Sequence, residues 1–132
     1  MNDTASISPA ALWTGRILSA LMALFMLVDA VMKLIKPQVV IEGTVKLGYP
    51  ESAIVGLGIV LLISTILYIV PRTAVLGAIL LTGYLGGAVA THVRVNDSTF
   101  TIIFPVIFGA LIWGGLFLRD ARLRTLIPLR NE

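Results

Sequence analysis

The chain has 132 residues, 58% of them hydrophobic and only 13% charged, with a formal net charge of +3. A soluble domain carries about a quarter charged residues, so this composition and a mean hydropathy of +0.99 point to the bilayer as solvent. The lack of cysteine excludes disulfides, CxxC redox chemistry, thiolate nucleophiles and cysteine-held iron–sulfur or zinc, and one histidine excludes a bis-histidine haem or an HExxH site within the chain.

In chain order, the first apolar run covers residues 12–32 and is interrupted only by Arg16 and Asp29. Its leader has no lysine or arginine and the run is too long for a secretory signal, so it is expected to be a membrane span. Residues 33–52 form the one long connection, whose apolar residues Val39, Val40, Ile41, Val45 and Leu47 are too few to cross a bilayer. With Glu42 and Lys46 at i,i+4, this segment predicts a short interfacial helix closed by Gly48-Tyr49-Pro50. Further runs at 53–70, 73–93 and 100–118 each match the ~20 residues a spanning helix needs. Pro105 removes a backbone donor and predicts a kink or restart in the last of them.

Strand-type alternation is absent, and the links at Pro71-Arg72 and VRVNDS are short enough to force antiparallel neighbours. The expected fold is all-α: one polytopic membrane four-helix bundle with a short interfacial helix between the first two spans. An even number of spans puts both termini on one side. That side carries Arg16, Arg72, Arg119, Arg122, Arg124 and Arg130, against Lys33, Lys36, Lys46 and Arg94 on the other. The positive-inside rule then gives cytoplasmic termini and a cytoplasmic tail from residue 119, with Trp13, Tyr68 and Trp113 toward the same interface.

Threading the spans gathers Asp29, Lys33, Glu42, His92, Arg94 and Asp97 at the other end of the bundle, with Tyr84 among the few polar groups deeper in the membrane. Asp29 lies about one turn inside the boundary, where its short side chain cannot snorkel and where the helix dipole disfavours an anion. Either it pairs with Lys33 at i,i+4, or it faces a pocket or His92. His92 is either a helix end that complements the dipole or a proton-transfer or ligand-binding partner of Asp29. Arg94 reads as an interfacial anchor. Gly83, Gly87 and Thr91 form a small face of GxxxG type, suited to close helix packing or to a second copy of the chain. The basic residues Arg119, Arg122, Arg124 and Arg130 suit a soluble partner or anionic lipid headgroups. No metal site and no nucleic-acid patch is legible.

The segments DAVMKL, LGYPES, GGAVATHVR and GLFLRDARLR resemble the DoxX-like family of small four-span membrane proteins, over about residues 12–126. The aspartate at 29 departs from the glycine common near that position in the family. The resemblance implies a bundle in a bacterial inner membrane. Its family name derives from a membrane subunit of a thiosulfate:quinone oxidoreductase, and other relatives are described as partners in oxidoreductase or oxidative-stress complexes. It therefore implies a non-catalytic subunit or scaffold of a quinone-linked oxidoreductase or membrane stress complex, with no covalently bound cofactor and with quinone or lipid as ligand. The alternative is a lipophile-binding protein or enzyme that takes a quinone, sterol-like or isoprenoid molecule at a polar pocket around Asp29 and His92.

Overall fold

The computed structural model describes residues 7–130; residues 1–6, with most of the leader, and the last two residues of the tail lie outside it. Ser8 opens the first helix, α1 (Pro9–Ile35), by accepting from the Ala11 amide at 3.2 Å, and Pro9 occupies the first turn where its missing donor costs nothing. Lys36 ends it in the left-handed region at φ 52°, and Pro37 then starts α2 (Gln38–Lys46). Single 3-10 turns, Glu51–Ala53 and Pro71–Thr73, lead into α3 (Ile54–Ile69) and α4 (Ala74–Arg94). Ser98 caps α5 (Thr99–Arg119), and Asp120 caps the short α6 (Ala121–Arg124). There is no strand among the described residues.

α5 runs through Pro105 without restarting, and the proline is buried inside the bundle. Spanning helices tolerate proline where neighbouring helices hold the interrupted turn in place.

α1 packs between α3 and α5, and α4 packs between the same two, so the four long helices form a ring with α1 and α4 on one diagonal. Met26, Ala30, Leu61, Ala78, Leu81, Ile112 and Leu116 fill its interior. The outer face is as apolar as the core: Ile17, Leu21, Leu24 and Val28 run along α1, and Ile59, Val60, Ile63 and Ile66 along α3, all about half exposed. In water such a surface would drive association; in hydrocarbon it is the solvated face. Among the described residues, four helices are long and apolar enough to span. The chain is an integral membrane protein with an all-α bundle fold.

Helices in lipid gain little from hydrophobicity and associate through close packing of small residues. Gly15 meets the Gly115 carbonyl, where an added Cβ would come within 2.7 Å, and Gly115 in turn abuts Ser19. Gly77 lies directly on the Tyr68 backbone, and Gly58 on the Ala30 carbonyl. Tyr68, 1% exposed, donates its hydroxyl proton to the Ile112 carbonyl at 2.8 Å and sits 3.0 Å from Ser19 Oγ, which also accepts from Arg119 Nε at 3.1 Å. This knot joins α1, α3 and α5 near the chain termini. Trp113 Nε1 joins α5 to α4 by donating to Thr82 Oγ1 at 2.7 Å.

A polar-ended cavity beneath α2

At the other end of the bundle a cavity of about 840 Å³ lies under α2. α1 contributes Asp29 and Lys33, α3 contributes Leu57, and α4 contributes Gly83, Tyr84, Gly87, Ala88, Thr91 and His92. α2 covers it with Val39, Val40, Gly43 and Thr44, followed by Leu47 just after the helix, and no residue of α5 reaches it. The cavity side of the short helix is mostly apolar, with Thr44 and Lys46 as its polar members, and Glu42 and Val45 face away.

Three polar contacts hold that cover. Thr91 Oγ1 donates to the Gly87 carbonyl at 2.8 Å, so its remaining lone pairs receive the Tyr49 hydroxyl proton at 2.7 Å. Arg94 Nη2 donates to the Leu47 carbonyl at 2.7 Å, beside Gly48, whose φ of 93° lets the chain turn there. Lys36 pairs with Glu51 at 3.6 Å.

The polar groups sort into pairs. Lys33 Nζ donates to Asp29 Oδ1 at 2.6 Å, with the lysine side chain 16% and the aspartate 40% exposed. His92 Nδ1 lies 2.9 Å from Asp97 Oδ2. Local sequence explains this second pair. Asn96 takes the left-handed conformation after α4, so its own amide bonds Val93 and the Asp97 amide bonds the His92 carbonyl at 3.0 Å, the double closure of a helix end. That geometry folds Asp97 back over His92. The His92 hydrogen bond, then the Ser98 amide at 2.8 Å, hold the Asp97 carboxyl below its ordinary value, with Lys46 nearby adding to the effect. Tyr84 lies beside Asp29 and Tyr49, and its hydroxyl makes no hydrogen bond among the described residues.

The candidate residues are thus redistributed. Asp29, Lys33, Tyr84 and His92 share the cavity, but Asp29 and His92 engage different partners and form no acid–base pair with each other. Glu42 is not a wall residue: it is exposed and accepts from Gln38 at 3.2 Å rather than meeting Lys46, which lies at the cavity rim. Arg94 belongs to the cover's attachment and not to the wall. Within the chain, Gly83 and Gly87 are not a helix seam: a Cβ at either would meet open space, because both line the cavity. Of the basic residues, Arg119 turns back onto Ser19, with its guanidinium 5.5 Å from the Tyr68 ring centroid. Arg124 caps α5 by donating to the Phe117 and Leu118 carbonyls at 3.0 and 3.1 Å, while Arg122 and Arg130 face outward.

Tyr49 was not among the sequence candidates, although a tyrosine between two turn residues, Gly48 and Pro50, is a legible signal for a side chain fixed in direction. No group of three potential metal ligands gathers among the described residues. Chemically, the arrangement is a hydrophobic pocket with one hydrogen-bonding end: an ammonium and a carboxylate that neutralise each other, a free phenol and an imidazole.

Comparison with known proteins gives one finding. The model of the DoxX-like family matches residues 17–115, well over half of the chain. No curated protein and no solved structure matches it.

Proposed function

The chain belongs to the DoxX-like family, and we propose that within it this protein binds a lipid-soluble molecule in the cavity beneath α2. The cavity itself carries the reading. Its volume of about 840 Å³ lies within the ~300–1,000 Å³ of small-molecule sites, and it has the mostly apolar wall and few convergent polar groups such sites have. The ligand that fits is an amphiphile with an apolar body and one or two oxygen acceptors at its head, as in a quinone, a sterol-like alcohol or an isoprenoid. The Tyr84 hydroxyl and the Lys33 ammonium are donors for that head.

The role is binding rather than catalysis. Asp29 and His92 are each held by another partner, so neither is aligned to pass a proton to the other. The distribution of arginines supports cytoplasmic termini in a bacterial inner membrane, which would place the cavity at the outer leaflet.

The test is extraction in mild detergent followed by mass spectrometry of the lipids that co-purify, and titration with a short-chain quinone, a sterol and an isoprenoid alcohol. A saturable complex with one of them is expected. A folded protein that retains no such lipid and binds none of the three probes would sink the proposal.

A second reading has its own support. Arg122 and Arg130 point outward beside the termini, a placement that suits a soluble oxidoreductase subunit docking there to use a quinone held by this chain. Co-purification of a partner that is lost in an Arg122→Glu, Arg130→Glu variant would favour it; recovery of the chain without a partner would count against it.

A further inference from the structure

The end of the bundle near the termini carries a second, smaller void. About 160 Å³ in volume, it is lined by Arg16, Ser19, Ala20 and Ala23 of α1, by Tyr68 at the end of α3 and by Arg119 at the end of α5. Two arginines on one small cavity repel each other unless something negative lies between them. Among the described residues nothing does. Arg16 makes no hydrogen bond or ion pair with another described residue and rests with its guanidinium 5.2 Å from the Trp13 ring centroid. Arg119, which lines the void, spends its Nε on Ser19 and its face on Tyr68, and its two terminal amino groups make no hydrogen bond among the described residues. The adjacent acid, Asp120, is engaged by Arg122 through its backbone amide at 3.0 Å and through Nε at 3.4 Å.

Arg119 is also positioned rather than merely present. Ser19 and Tyr68, 7% and 1% exposed, fix its guanidinium plane through the knot that joins three helices. A planar guanidinium with its outer edge free is matched to the oxygens of a phosphate, which it can hold by two parallel hydrogen bonds. The rest of the lining is mostly apolar: Ala23 is buried, whereas Ala20 and Ile69 are exposed on the outer surface that faces hydrocarbon. A free phosphate would use only the arginine end. A phospholipid would use both.

We propose that this notch is a phosphate site for an anionic phospholipid: Arg16 and Arg119 hold the phosphate, and Ala20 and Ala23 seat the beginning of its acyl chain. The site is separate from the cavity beneath α2 and does not depend on the function assigned to that cavity. It binds a structural lipid at the headgroup level, where basic pockets between spans meet the charged leaflet.

The experiment uses the full chain, delipidated in detergent, with native mass spectrometry and thermal unfolding as readouts. Phosphatidylglycerol, phosphatidylcholine and inorganic phosphate are added in separate arms. The expected result is one saturable phosphatidylglycerol site that raises the unfolding midpoint, with weaker retention of phosphatidylcholine and no effect of inorganic phosphate at equal concentration. Arg16→Gln and Arg119→Gln each weaken phosphatidylglycerol binding by about tenfold, the scale of one lost charge-assisted contact, and Arg122→Gln, outside the notch, leaves it unchanged. If Arg119→Gln loosens the helix knot and fails to fold, Arg16→Gln still decides, because Arg16 is exposed and supports only Trp13. Equal retention of the two lipids, or equal loss in Arg122→Gln, overturns the proposal by showing general electrostatics; an equal effect of inorganic phosphate overturns the lipid as its source.

Discussion

The Tyr49 hydroxyl bonds Thr91 Oγ1 at 2.7 Å, joining two residues 42 positions apart and fastening the end of α2 to the wall of the cavity it covers. Tyr49→Phe removes this fastening without burying an unpaired group, since Thr91 keeps its bond to the Gly87 carbonyl. The expected loss of stability is therefore small, about 1 kcal/mol. The larger effect should be local: faster amide hydrogen exchange across residues 38–46, with exchange in α3 unchanged. If α2 exchanges as slowly in the variant as in the parent, the bond does not hold the cover.

Two glycine substitutions should behave in opposite ways. A side chain at Gly87 meets open space, so Gly87→Leu should fold with nearly the parent unfolding midpoint while lowering occupancy of any amphiphile in the cavity. Gly77→Ala places a methyl group on the Tyr68 backbone and should prevent stable packing of α3 on α4, since overpacking at rigid backbone costs ~1–3 kcal/mol or more. Expression, unfolding midpoint and lipid content of the two variants check both halves of this prediction.

The Asp29–Lys33 pair is partly buried, so breaking it from one side should cost more than an exposed helical pair. Asp29→Ala leaves the mostly buried lysine unpaired and should destabilise by about 1 kcal/mol, above the ~0.3–0.5 kcal/mol of a surface i,i+4 pair. The double variant Asp29→Ala, Lys33→Met removes both polar groups and should recover most of that loss. A double-mutant cycle of unfolding free energies gives the answer; additive losses would mean that the pair contributes nothing as a pair.

Asp97 predicts the acid side of the stability profile. Its carboxyl titrates lower in the folded protein than in the unfolded chain, mainly through the His92 hydrogen bond. A carboxyl shifted in this direction contributes stability in full above its unfolded value of ~3.9 and loses that contribution as pH falls from there through the folded value. Asp97→Asn should therefore be less stable than the parent at neutral pH and converge with it in the most acid range. Unfolding midpoints followed from about pH 6 downward test this, and a constant gap between the two curves would refute it.

The spans were legible because hydrocarbon imposes one rule on composition, and residues such as Asp29 and Lys33 stand out against it. The cover helix was legible because Val39 to Leu47 are too short to cross and too apolar for an ordinary loop. The cavity was not. GxxxG at Gly83 and Gly87 describes a bare strip of backbone, and such a strip serves a neighbouring helix or a void equally well; nothing local distinguishes the two. The seam itself has a sequence signal on one side only: Gly15, Ser19 and Ala23 repeat every four residues along α1, although its partner, Gly115, carries no matching repeat on α5. The partners of Asp29 and His92 illustrate the same limit. Asp29 found its partner at the helical spacing that sequence shows. His92 found Asp97 through a left-handed Asn96, a backbone event that spacing alone does not reveal.

A wall built from glycine can vary in only one direction. At Gly83 and Gly87 no side chain is left to shorten, so every substitution there narrows the space and none widens it. The present cavity is thus the upper bound of a series, and a chain with alanine, valine or leucine at these positions would accept successively slimmer guests on the same backbone. If the cavity holds the amphiphile proposed above, the residues at 83 and 87 set the girth it accepts.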